Sequence, residues 1–239
     1  MNGEYITKDT INRIIKDVKE LIKHPLESHG IYYKHDSEDL LKGKALIIGQ
    51  QDTPYENGYY LFEITLPINY PFSPPKFIFK TYDGVTRFNP NLYINGKVCL
   101  SILNTWDGEQ WSSCQTISSI LLVLSTILNN SPLLNEPDIT KNHKDFNKYN
   151  EILKFKNIEC AIIGMLKNEY INSHFLEFIP IMKTHFLTNY EKNINVIDKE
   201  IEQSNSSYNI SIKIYLMDVK INYNKLKKDM KLLKCNLLQ

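Results

Sequence analysis

The sequence predicts an α+β fold: an N-terminal helix, a four-stranded antiparallel meander, a long packed loop, a central helix and a C-terminal helical extension. Three observations lead there. Apolar residues recur every three or four positions between 11 and 22, then gather into four short runs between 30 and 80. Residues 81–111 lose both periodicities while keeping many aromatic and aliphatic side chains. From residue 117 onward the three-to-four spacing returns.

The first helix is read from Ile11, Ile14, Ile15, Val18, Leu21 and Ile22, and Pro25 closes it. Strands are expected over Gly30–Lys34, Lys44–Gly49, Tyr59–Leu66 and Lys76–Lys80. They are rich in Ile, Leu, Phe and Tyr and are bounded by the turn signals Asp52-Thr53-Pro54 and Asn57-Gly58. Tight turns between successive strands imply antiparallel pairing. A loop as long as 81–111 is usually functional or disordered. Its content of Phe88, Leu92, Tyr93, Val98, Leu100, Ile102, Trp106 and Trp111 favours an ordered, packed one. Ile117, Ile120, Leu121, Leu124, Ile127 and Leu128 then form the central helix, closed by Pro132 and Pro137.

The last hundred residues read as helical. Leu187, Tyr190, Ile194, Ile197 and Ile201 step by three and four. After the polar break QSNSSYN, Ile212, Leu216, Val219, Tyr223, Leu226, Met230, Leu233 and Leu237 alternate four and three, a seven-residue repeat. The expectation is an antiparallel helical hairpin folded on itself, or a pair of helices lying on the preceding domain. A dimeric coiled coil is disfavoured, because the first segment offers an internal partner. The expected division is 1–160 for the first domain and 161–239 for the helical extension.

Composition excludes several classes. With 42% hydrophobic residues in 239, a core can be buried without staples. A formal net charge of +1 argues against the broad basic footprint that nucleic acid or anionic lipid requires. The four cysteines, Cys99, Cys114, Cys160 and Cys235, form no C-x-x-C pair, so neither a disulfide scaffold nor a zinc site is expected. The start, MNGEYITKDT, lacks the regions of a signal peptide, and no apolar run approaches the ~20 residues of a membrane span. An intracellular protein is expected, cytoplasmic with the nucleus open, which makes the sequon Asn205-Ser206-Ser207 a chance match.

A lone cysteine is more often a small core residue than a nucleophile. Cys99 has a more telling context. The chain carries Asp52-Thr53-Pro54-Tyr55-Glu56-Asn57-Gly58, Tyr70-Pro71-Phe72-Ser73-Pro74-Pro75-Lys76 and Arg87-Phe88-Asn89-Pro90-Asn91. Gly96-Lys97-Val98-Cys99-Leu100-Ser101-Ile102-Leu103 and Gln110-Trp111-Ser112 follow. Five such pieces in this order and spacing resemble the ubiquitin-conjugating enzyme family, clearly over about residues 8–170 and loosely in the tail. Asn89 where most members have His, the inserted Asn104-Thr105-Trp106-Asp107-Gly108, and Asn135-Glu136-Pro137 look like a divergent subset. It takes in conjugating enzyme Z and the conjugating domains of large hybrid conjugating-ligase proteins. Lys148-Tyr149-Asn150-Glu151 and the helical tail are most similar to conjugating enzyme Z.

The resemblance implies the ubiquitin-conjugating fold and two acyl transfers. Cys99 would accept ubiquitin as a thioester from an activating enzyme and pass it to a substrate lysine, alone or with a ligase. A thiol of pKa about 8.5 is partly ionised near neutrality, so no histidine base is obligatory; no His lies within twenty residues of Cys99. Asn91 would stabilise the oxyanion or hold the loop so that another donor does. Asn89 would take the structural role of the usual histidine, and Pro90 and Ser101 would support the site. Asn135 stands where relatives often carry an Asp that helps desolvate the incoming amine, so acidic help would fall to Glu136. Phe72, Ser113 and Cys114 would face a ligase, with Ser113 replacing a common Pro. Lys16, Lys19 and Lys23 would meet the activating enzyme, or form an ordinary solvated face. No metal or organic cofactor is implied, since the activating enzyme uses the ATP. Two further readings are a catalytically inactive ubiquitin- or partner-binding module and a conjugating enzyme for another ubiquitin-like modifier.

Overall fold

Thr7 caps helix α1 (Lys8–Lys23) by accepting the Thr10 N–H at 3.1 Å. The computed structural model describes residues 5–167, 173–204 and 206–239. Residues 1–4 of the chain start, Asn205 of the sequon and polar break, and residues 168–172 at the C-terminal limit of the resemblance lie outside the described residues. Of the six apolar positions assigned to α1, Ile14 and Leu21 are buried and Ile11 and Val18 half-buried. Ile15 and Ile22 are exposed instead, because they flank the stripe rather than lie on it.

Strands β1 (Ile31–His35), β2 (Lys42–Ile48), β3 (Tyr59–Thr65) and β4 (Lys76–Phe79) form one antiparallel sheet in the order of the chain. They stand within two residues of their expected bounds, the usual slack at element ends. Antiparallel sheets often leave one face in water. Here β2 is buried from Gly43 to Ile48 and β3 from Tyr59 to Phe62, so both faces are covered. On one face Tyr60, Phe62 and Phe79 meet Phe88 and Tyr55 in edge, stacked and tilted ring contacts 5.5–6.4 Å apart. This cluster seats the long loop. On the other face the Tyr59 hydroxyl donates to Met182 O at 2.9 Å, and buried Lys44 donates to His174 O at 2.8 Å and pairs with Glu177 at 2.6 Å. These partners belong to the C-terminal region.

Helix α2 (Ile117–Ile127) opens with a reciprocal capping box between Thr116 and Ser119, and Ile117, Ile120, Leu121 and Leu124 are buried. Helix α3 (Phe146–Lys156) runs without a break into a π-helical stretch, Asn157–Gly164. Ile158 and every residue from Cys160 to Leu166 are buried, as in a helix enclosed on all sides. The division expected at 160/161 therefore falls inside a continuous buried helix, whereas domain boundaries usually fall in exposed linkers.

Helix α4 (Ile179–Gln203) lies over the second sheet face, with Met182 and Phe186 fully buried. The seven-residue repeat does not run as one helix. Strands β5 (Tyr208–Ile212) and β6 (Met217–Ile221) form an antiparallel hairpin, and helix α5 begins only at Tyr223 and ends at Leu237. The competing signal was alternation: Ile210 and Ile212, then Met217, Val219 and Ile221, are buried with polar residues between them. Asn222 marks the true helix start, its side chain accepting the Lys225 N–H at 2.9 Å. Beyond it the spacing is real. Leu226, Met230 and Leu233 are buried, and α5 runs antiparallel to α4, with Lys227 paired to Asp198 and Lys234 to Glu191 at 3.3 Å.

Candidate active site

The long loop is folded by its own polar groups. Asp83 accepts the Val85 and Thr86 N–H groups at 3.1 and 2.8 Å and pairs with Lys156 at 3.1 Å. Burial pushes the Asp83 carboxyl up, but those N–H groups and Lys156 outweigh it and the net shift is downward. Asn89, fully buried, spans the gap to helix α2. Its amide donates to Ile127 O at 2.8 Å and to the Tyr55 hydroxyl at 3.0 Å, and its carbonyl oxygen accepts the Asn91 N–H at 3.0 Å. Tyr55 in turn donates to Phe88 O at 2.7 Å. The Asn89–Asn91 turn, with Pro90 buried at its middle, is thus held at both ends.

Asn91 and Cys99 are joined across that turn. The Cys99 N–H donates to Asn91 O at 2.8 Å, and the Asn91 side-chain amide donates to Cys99 O at 2.7 Å. This is the loop-holding geometry, and it uses one of the two N–H donors of the Asn91 amide. Cys99 itself is buried, 1% exposed. Gly96 makes the turn before it. At φ +86° an added Cβ would stand 2.9 Å from Phe79 O, and only glycine fits. Ser101, half-buried, opens a short 3₁₀ helix with Leu103 at its end. A cleft of about 530 Å³ beside the loop is lined by residues 74–78, Asn95–Val98, Leu103 and Thr105.

The far side of the turn brings together residues from distant parts of the chain. Asn135 donates to Ile127 O at 3.1 Å and to the Asn89 carbonyl oxygen at 3.4 Å. Glu136 is half-buried and accepts the Tyr215 hydroxyl at 2.6 Å, so the expected acidic group is held by the C-terminal hairpin. Arg87 donates to Asn89 O at 3.1 Å and Pro90 O at 2.7 Å, with its guanidinium over the Tyr93 ring (3.3 Å) and facing Tyr215 (5.2 Å). Tyr149 packs against Tyr215 at 5.5 Å and donates to Arg87 O at 2.7 Å. Burial pushes the Tyr149 and Tyr215 hydroxyls above their ordinary value, Tyr215 further by its bond to Glu136, so both remain donors.

Phe72, 77% exposed, and the exposed Ser113 and Cys114 sit on two loops tied together by Trp111. The indole N–H donates to Pro71 O at 2.8 Å, and its ring lies 6.0 Å from Tyr70. Arg13 of α1 reaches the same region, donating to Ser113 O at 2.6 Å and to Gln115 O. Lys16, Lys19 and Lys23 are exposed on α1. Among the described residues no group of three or more His, Cys, Asp or Glu could hold a metal ion, and no helix is long and apolar enough to cross a membrane.

Sequence reasoning gave no role to Tyr55, Arg87, Tyr149 or Tyr215. Arg87 and Tyr55 lie inside the quoted motifs, and a cation two residues before a buried Asn was a usable signal. Nothing in the sequence linked Tyr215 to Glu136.

The family model described as "Ubiquitin-conjugating enzyme" matches residues 13–157, more than half of the chain. Ubiquitin-conjugating enzyme E2 Z of Homo sapiens is 38% identical over 171 residues, 70% of this chain and 48% of that protein. The Danio rerio E2 Z is 36% identical over 193 residues, 80% of this chain and 58% of that protein. The dual E2 ubiquitin-conjugating enzyme/E3 ubiquitin-protein ligase BIRC6 of Homo sapiens is 39% identical over 176 residues, 65% of this chain and 4% of that protein. The chain spans about half the length of the E2 Z relatives it matches. With most of the first helix and the whole meander, packed loop and Cys99 falling inside the matched residues 13–157, the chain belongs to the ubiquitin-conjugating enzyme family.

Proposed function

We propose that this chain carries ubiquitin, or a ubiquitin-like modifier, as a thioester on Cys99 and transfers it to substrate lysine, alone or with a ligase. The observation that carries the reading is the double hydrogen bond between Asn91 and Cys99 inside a loop seated on the sheet of this family's fold. In the first transfer the Cys99 thiolate attacks the carbonyl carbon of the activating enzyme's thioester and expels that enzyme's thiolate. In the second, an amine or a ligase cysteine attacks the new thioester and Cys99 leaves as thiolate. An attacking lysine, with ordinary pKa about 10.4, must shed a proton. Glu136, held ready by Tyr215, is the acidic group offered for that step. Asn91 acts first as the strut of the loop. The reaction takes place inside the cell and needs no metal or organic cofactor, the ATP being spent upstream by the activating enzyme. Phe72, Ser113 and Cys114 offer the ligase surface.

The test is charging of the full chain with ubiquitin and ATP by several activating enzymes, followed by gels run with and without reductant. A reductant-sensitive adduct that is lost in Cys99→Ala supports the proposal. A folded chain that forms no adduct with ubiquitin or with any ubiquitin-like modifier tried overturns it in favour of a binding module.

A further inference from the structure

The geometry points to Tyr215, in the tip of the C-terminal hairpin and outside the segment the family model matches, as a positioning residue for transfer out of Cys99. This rests on the thioester reading above. Three contacts converge on it. Its hydroxyl donates to Glu136 at 2.6 Å, its ring faces the Arg87 guanidinium at 5.2 Å, and it packs on Tyr149 at 5.5 Å. Arg87 passes the constraint on, because its two donated bonds fix the Asn89 and Pro90 carbonyls of the turn whose Asn91 grips Cys99. Glu136 passes it on along a second route: it follows Asn135, which bonds Asn89 and Ile127 O. Tyr215 therefore joins the two segments that hold the catalytic turn, one through Arg87 and one through Glu136.

The hairpin is anchored at this spot by more than the tyrosine. The buried Asp145 carboxylate accepts the Lys213 and Ile214 N–H groups at 3.1 and 3.3 Å, and the Arg87 N–H donates to the Met217 sulfur at 3.3 Å. Charging draws on the sulfur and the activating enzyme's own site. Transfer onto an amine draws also on the set of the loop and the place of Glu136. A small misplacement of such groups costs up to about a hundredfold in rate. Loss of Tyr215 is thus expected to act on discharge rather than on charging.

The experiment compares the full wild-type chain with Tyr215→Ala and Tyr215→Phe, measuring the rate of charging with ubiquitin and, in single turnover, the rate of discharge onto free lysine. The phenylalanine keeps the ring over Arg87 and removes only the bond to Glu136. The expected result is discharge about tenfold slower in Tyr215→Ala and about threefold slower in Tyr215→Phe, with charging within about twofold of wild type. Unchanged discharge in both variants overturns the inference. So does an equal loss of charging and discharge together with a lowered melting temperature, which marks a merely structural role. A wild-type thioester that lysine does not discharge faster than buffer overturns it too. Should Tyr215→Ala not fold, the phenylalanine variant decides by the same split. A wild-type chain that never charges fails earlier, and overturns the reading of the site along with the inference.

Discussion

The C-terminal region meets the catalytic fold along two seams of opposite character. Across the sheet it is mainly apolar: Phe175, Phe178, Met182 and Phe186 are buried, with the charged pairs Lys44–Glu177 and Lys192–Glu56 beside them. At the Asn89–Asn91 turn it is polar: Tyr215 on Glu136, Asp145 on the hairpin backbone, Arg87 between two rings. Apolar burial is non-directional and scales with area, whereas hydrogen bonds to charged groups are directional and modest in net worth. The first seam should therefore govern stability and the second geometry. Substitutions that act oppositely on the two quantities test that division.

Phe186→Ala should have the largest effect on stability. A fully buried phenylalanine truncated to alanine costs about 3–5 kcal/mol. The midpoint of chemical denaturation should fall accordingly, while discharge per folded molecule stays at the wild-type rate. A cost under about 1 kcal/mol would show that α4 is not part of the cooperative unit.

Asp145→Ala should behave the other way round. It removes the buried carboxylate that accepts two hairpin N–H groups, a loss of about 1.5–3 kcal/mol. Discharge from Cys99 should nonetheless slow by more than it does in Phe186→Ala. Equal kinetic effects in the two variants would erase the distinction between the seams.

What the sequence disclosed follows the same line. The sheet, α1, α2 and the loop with Asn89, Asn91 and Cys99 were legible, because periodicity and motif spacing are local signals. Ile212, Leu216 and Val219 were misread as a helical seam because their spacing fits a heptad; the period-two burial of Met217, Val219 and Ile221 was the stronger pattern. The near-continuous burial of β2 and β3 shows in their apolar sequence, though what covers the second face does not. The bond between residues 136 and 215 is long-range, and neither residue type announces the other.

Protonation offers a gentler probe of the apolar seam. His185 on α4 lies 3.2 Å from the Tyr59 hydroxyl, and burial pushes its pKa below the ordinary 6.5. A depressed histidine favours the neutral form in the folded state. Its contribution is whole above about pH 6.5 and is lost as pH falls from there through the folded value. His35, lowered chiefly by burial, adds a background of the same sign. The measurement is thus a difference: between pH 7 and pH 5 the denaturation midpoint of His185→Gln should fall less than that of wild type. Parallel slopes would mean that the imidazole is solvated in the fold.

The smallest expected effect has the opposite sign. Leu216 precedes β6 at φ +52° with its side chain 90% exposed. A leucine gains nothing there from burial and bears the steric cost of the left-handed region, about 1–2 kcal/mol. Glycine removes that cost but loses more backbone entropy on folding, so Leu216→Gly should stabilise by about 0.5 kcal/mol, read as a small rise in denaturation midpoint. Discharge should not change, because the leucine points away from the polar contacts that Tyr215 makes one residue earlier. A fall in stability would mean that the Leu216 side chain packs against the fold. The hairpin tip would then be held by an apolar contact as well, and the contrast between the two seams would weaken at its most exposed point.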